Sequence, residues 1–177
     1  MEEFEVPTEK LQEEMEHHAR TSGEQWVTGV ALTAALLAVF AAVSSLLAGH
    51  HSNEAMIDQL QASDQWAYYQ AKGIKLAILE TRISLAREMG KGVATKDTAK
   101  ISSYLLEQSG IQAAAREKEK SSEWHLKMHN ALARCVTLFQ IAIAICAISA
   151  ISKQKWLWVA SILTGIAGIG LLIGAHM

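Results

Sequence analysis

Three apolar runs, each long enough to cross a bilayer, constrain this chain more than any other feature. About 20 helical residues are needed to span roughly 30 Å of hydrocarbon. The first run, "WVTGVALTAALLAVFAAVSSLLAG" (residues 26–49), carries no charge. The second, "LARCVTLFQIAIAICAISAI" (132–151), carries only Arg134, close enough to the entrance for its side chain to snorkel to the headgroups. The third is "WLWVASILTGIAGIGLLIGA" (156–175). One such run alone could be a buried core helix. Three of them, with Trp26, Trp156 and Trp158 standing where an aromatic belt would lie, predict membrane insertion.

A cleaved signal peptide has a short basic leader and an apolar stretch of about 7 to 15 residues. Here an acidic segment, residues 1–25, precedes a full-length span, so the first run is expected to persist as an anchor. The acidic tail is expected to be partly helical. Residues 50–131 are polar, and the last two runs are joined by "SKQK", which makes them antiparallel neighbours. With one proline, 50% hydrophobic and only 6% aromatic residues, the chain suits an all-α fold in one unit. A formal net charge of -2 leaves no basic footprint for nucleic acid. Cys135 and Cys146 both lie in the second apolar run, with no CxxC or metal-ligand spacing, and read as helix packing.

The polar region is patterned as two helical arms. "SNEAMIDQLQASDQWAYYQAKGIKLAILETRISLAREM" lacks proline and is rich in good helix formers. It stops at "GKGVATKD", where Gly90 or Gly92 can supply a positive-φ C-cap and Thr95 or Asp97 can start the next helix. Two arms of about 40 residues, each about 60 Å long at 1.5 Å per residue, predict an antiparallel helical hairpin with its turn at 90–97. Such a coiled-coil-like stalk needs a seam. On the first arm Ile57, Leu60, Ala67, Ala71, Ile74, Ile78 and Leu85 follow a near-heptad spacing. On the second, Ile101, Leu105, Ile111, Ala115 and Leu132 do so more weakly, and Asp64, Gln108 and Ser122 interrupt the seams. So narrow a seam predicts further helices alongside, most simply from a homo-oligomer.

Trp66, Tyr68 and Tyr69 sit about 25 Å beyond the end of the first span in a straight helix, too far for a headgroup belt. Residues 66 and 69 share a face and Tyr68 points elsewhere. In the hairpin register Trp66 falls opposite residues 116–120, where it could stack on Arg116. These aromatics are read as contact residues, between the arms or to another subunit or partner, ahead of a small-ligand site. The stretch "NEAMIDQLQASDQWAYYQAKGIK", the opening "EVPTEKLQEEMEHHA", the "LLAG" exit of the first span and the paired C-terminal spans resemble the bacterial membrane proteins grouped as domain of unknown function 4337. The resemblance runs over the whole chain. It implies a small bacterial inner-membrane protein with no assigned activity, and so carries over no catalytic residue.

Histidines hold the remaining chemistry. His125 and His129 have the i,i+4 spacing that presents two imidazoles on one helix face, and the hairpin register brings His50 and His51 to a similar height. His176 returns to the same side, with Glu54, Asp58 and Glu123 near, so a divalent-metal site is one reading; interfacial polar groups are the plainer one. Glu13 with His17 and Glu14 with His18 repeat the spacing on the tail, where a solvated helix explains it. No other cofactor is expected. The chain has no G-x-S-x-G, P-loop, dinucleotide-binding or H-E-x-x-H motif, and an enzyme is not expected.

An oligomeric channel is the alternative to a scaffold. Gln140, Thr33, Ser44, Ser45 and Thr164 could line a wet passage, or bond between helices and back to their own backbone. Rows of small residues, Ala34 with Ala38 and Ala42, and Gly170 with Gly174, allow close packing in lipid. Lys153 and Lys155, with Lys10 and Arg20, favour a cytoplasmic N-terminus and a periplasmic stalk by the positive-inside rule. Arg116, Lys118, Lys120, Lys127 and Arg134 pull the other way. The expectation is a non-enzymatic, homo-oligomeric scaffold in the bacterial inner membrane, its protein partner unspecified.

Overall fold

The structure is a computed structural model that describes residues 25–92 and 95–176. Residues 1–24 and the side chain of His176 lie outside the described residues, and with them the readings of the acidic tail, its Glu–His pairs, and the ring of His176. The described residues form three α-helices and no strand: α1 (Gln25–Glu88), α2 (Thr95–Ser152) and α3 (Lys155–His176). All three contain a stretch long and apolar enough to cross a membrane.

Helix ends follow from local chemistry. After α1, Gly90 takes φ 67°. Its N–H donates to Arg87 O at 3.0 Å, and Lys91 N–H donates to Ala86 O at 2.9 Å. This is the Schellman pattern, in which a left-handed residue turns two otherwise orphaned carbonyls into acceptors. Of the two glycines the sequence offers here, Gly90 performs the stop. Between α2 and α3, Lys153 adopts φ 56° without being glycine. Gln154 holds the connection: its carbonyl accepts from Ser149 Oγ at 3.0 Å and from Leu157 N–H at 3.2 Å. Its side-chain oxygen accepts from Trp156 Nε1 at 2.7 Å.

The chain divides into two compact units, one of residues up to His51 and from Lys127, the other Ser52–Leu126. In the first, apolar unit, Val30, Ala34, Leu37 and Ala41 of α1 bury against Cys135, Phe139, Ala142, Ile143, Cys146 and Ala147 of α2. Phe40 stacks on Phe139 with ring centroids 5.8 Å apart. α3 fits closely because it presents glycine: a Cβ at Gly165 would meet Leu37 Cδ2 at 2.6 Å, and one at Gly168 would meet Phe139 Cε1 at 2.7 Å. Of the α3 glycines these two pack; beside Gly170 and Gly174 a Cβ would meet open space. Of the small-residue row on α1, Ala34 is buried and Ala38 half-buried, whereas Ala42 faces outward. Leu32, Leu36, Val39, Leu46, Leu163 and Ile173 are all more than half exposed, the outward apolar surface that suits lipid.

Candidate functional site

The second unit, Ser52–Leu126, carries most of the polar chemistry, and its interior differs from the expected one. Ile57, Leu60, Ile74, Ile78 and Leu85, expected to form its internal seam, are 45 to 63% exposed, and residues 67 and 71 are exposed too. α1 instead buries Ala55, Asp58, Ala62, Leu79 and Ile83. On α2, Ile111 and Ala115 are buried as expected and Leu105 is 52% exposed. The physical reason lies on the facing helix. Small alanines let the backbones approach, and α2 offers a hydrogen-bonding partner for each polar group that α1 turns inward.

Those partners are specific. Ser122 Oγ donates to Ala55 O at 2.8 Å, both groups being buried. Lys118 Nζ donates to Asp58 Oδ1 at 3.0 Å. Hydrogen bonds from Ser121 and Lys118, reinforced by the charges of Lys118 and His125, hold the Asp58 carboxyl below its ordinary range, against an opposing desolvation. Lys72 pairs with Glu107, and Ser103 Oγ donates to the other oxygen of that carboxylate at 3.0 Å. The ammonium lies 4.9 Å from the Tyr104 ring centroid and 5.4 Å from that of Tyr68. The Glu107 bond raises the Lys72 pKa, and the same bond, with that from Ser103, lowers that of Glu107. Gln108 Nε2 donates to Tyr69 O at 3.3 Å, and Arg82 faces Asp97 at 3.5 Å.

The aromatic cluster separates into two roles. Trp66 Nε1 donates to Glu119 Oε1 at 2.7 Å, inside the interval the register suggests, and its ring meets Tyr69 edge-on with centroids 5.6 Å apart. The cation–π contacts of this cluster are those of Lys72, in place of the Arg116 stack considered for Trp66. Tyr68 is 49% exposed and points away from this pair. The sequence reading missed Lys72, Glu107 and Glu119. The signal for Lys72 was present as a second run, with steps of three, four or seven residues, through Ala55, Asp58, Ala62, Tyr69, Lys72, Leu79 and Ile83, in part polar; Glu107 and Glu119 lie on the other helix, and their roles show only in the pairing.

The described histidines make separate contacts. His129 Nδ1 lies 2.8 Å from Ala48 O, a contact to backbone. His50 and His51 are tilted neighbours with centroids 5.6 Å apart, and His125 meets the edge or face of Trp124 at 4.8 Å. Among the described residues no group of three or more His, Cys, Asp or Glu side chains is arranged to hold a metal ion.

The polar residues of the apolar runs are mostly engaged in packing. Trp158 Nε1 donates to Thr33 Oγ1 at 3.1 Å, and Thr33 itself donates to Gly29 O at 2.8 Å. Thr164 donates to Ala160 O at 2.9 Å. Cys146 Sγ and Ser161 Oγ lie 3.0 Å apart. Gln140 is half-buried. Ser44 is fully buried and its hydroxyl meets no hydrogen-bond partner among the described residues. A family model described as a domain of unknown function, DUF4337, matches residues 26–177. No curated protein and no solved structure matches.

Proposed function

This chain belongs to the DUF4337 family, and on that premise we propose that it is a non-enzymatic integral membrane protein that works as a homo-oligomeric scaffold. The observation that carries the reading is the heptad stripe of Ile57, Leu60, Ile74, Ile78 and Leu85, left exposed on a polar unit whose own seam is made elsewhere. An apolar row of this length is costly to hold in water and suits a protein partner. Support for an antiparallel hairpin comes from the pairings 58 with 118, 72 with 107 and 82 with 97, which rise on one helix as they fall on the other.

The three apolar stretches, with their outward leucines, valines and isoleucines, support a multi-pass arrangement in the bacterial inner membrane. Lys153 and Lys155 in the short connection support a cytoplasmic N-terminus, with residues 50–131 on the periplasmic side. Thr33, Ser161 and Thr164 make hydrogen bonds within or between helices, which favours packing over a wet passage.

Native mass spectrometry of the protein released from lipid nanodiscs tests the reading. A closed assembly of several copies is expected. A single copy at every concentration overturns it.

A further inference from the structure

The exposed stripe of α1 has a geometry more specific than general stickiness. Its positions are 57, 60, 64, 67, 71, 74, 78, 81 and 85, alternating steps of three and four without a break. Such a 3.5-residue period over about four heptads keeps one face aimed at a parallel or antiparallel neighbour helix, the requirement of a coiled coil. Within its own unit α1 already meets α2 through Ala55, Asp58 and Ala62. On a helical wheel these positions lie about 150° around from the stripe. So α1 carries two seams on nearly opposite faces, and among the described residues only one is occupied.

We propose that the second seam pairs with the same stripe of a second copy of this chain, parallel and in register. The proposal rests on the oligomeric reading above and names its surface. Copies inserted the same way round in one bilayer are related by an axis along the membrane normal, so like residues meet like residues. Ile74 then faces its counterpart, as do Ile78 and Leu60.

Charge is compatible with this. One flank of the stripe holds Met56, Ser63, Gln70 and Ala77, all uncharged, while the other holds Lys75 and Arg82. In a parallel pair the first flank of one copy faces the second flank of the other, so no like charges oppose across the flanks. Area argues for the same occupant. From residue 57 to 85 the stripe runs about 42 Å, which at a helix width of about 10 Å is about 420 Å² projected per copy. That is about half of the roughly 800 Å² each partner of a standard soluble interface buries. A partner arriving from solution would be held weakly. A copy confined to the same membrane by its own three apolar stretches has a much higher effective concentration, and a seam of this size suffices.

Asp64 is the one charged residue in the stripe. In the parallel pair it faces its counterpart, forming a polar layer that weakens the pair while penalising other registers.

Single cysteines test the surface in native membranes under mild oxidation. Leu60→Cys, Ile74→Cys and Ile78→Cys are expected to give covalent dimers, whereas Gln59→Cys and Glu80→Cys, off the stripe, are not. The parent chain sets the background, since Cys135 and Cys146 are buried. Asp64→Leu is expected to tighten association by at least about tenfold, a direction that damage to folding would not produce. Ile74→Lys with Ile78→Lys is expected to loosen it. An intact oligomer with equal cross-linking on and off the stripe, or without tightening by Asp64→Leu, overturns this surface and leaves the oligomeric reading standing. A monomer throughout overturns both.

Discussion

Helix α1 uses one residue period to build two different interiors. In the apolar unit it buries Val30, Ala34, Leu37 and Ala41 against Phe139 and its neighbours, with close glycine contacts from α3. In the polar unit the corresponding face buries Ala55, Asp58 and Ala62, and Asp58 meets Lys118. Alanine recurs every seven residues along the buried face, at 34, 41, 48, 55 and 62. What changes is the group between the alanines. The first interior is held by the fit of aliphatic and aromatic surface; the second relies on charged and hydrogen-bonded groups that each need a partner. The first should respond to changes of volume and ignore pH, and the second should do the reverse.

The largest expected effect is on the apolar interior. Phe139 is fully buried, stacks on Phe40 and fills the space that Gly168 leaves. Phe139→Ala should cost about 3 kcal/mol through the cavity it leaves. Unfolding in micelles, followed by hydrogen exchange, should show lost protection at 30–41 and 135–147. A loss confined to residues 52–126 would break the comparison.

A pH titration should act on the other region. Asp58 and Glu107 have lowered folded-state pKa values, so their stabilisation is complete above the ordinary carboxylate range, near pH 4 to 5, and is lost as pH falls through the folded values. Lys72 has a raised value, so its share is complete below the ordinary lysine range, near pH 10, and is lost only above it. Exchange protection at 52–126 should therefore be flat from about pH 5 to about 9 and fall in acid. Lys118→Met, which removes the main cationic partner of Asp58, should reduce that acid step. An unchanged step would show that Asp58 does not carry it.

The smallest effect sharpens the boundary between the two chemistries. Ser44 is a buried hydroxyl of the apolar unit without a partner among the described residues. Ser44→Ala should stabilise that unit by up to about 1 kcal/mol, because it removes an unsatisfied polar group at little change in volume. A loss of stability in unfolding titrations would mean that the hydroxyl is satisfied in the folded protein, and the apolar interior would then depend on polar pairing too.

Much of this was legible in the residues. Three long apolar stretches, the helix stop at Gly90, the restart at Thr95 and the tight connection after Ser152 are all local properties. Each depends on hydropathy, backbone freedom or capping within a few residues. Family membership was legible as well, from the stretch around Trp66 and the paired C-terminal runs. The placement of Trp66 opposite residues 116–120 also followed from counting residues, and Glu119 lies in that interval.

The choice of seam was not legible. α1 carries two heptad stripes, one more apolar through Ile57, Leu60, Ile74 and Ile78, the other mixed through Asp58, Tyr69 and Lys72. Hydropathy ranks the first as the interior. The tertiary structure buries parts of the second, because Lys118, Gln108, Ser122 and Glu107 on α2 supply its partners and its alanines allow close approach. A period in one helix specifies that a face exists. Which face turns inward depends on the sum of contacts with the second helix, and those pairings become visible only once both helices are in place.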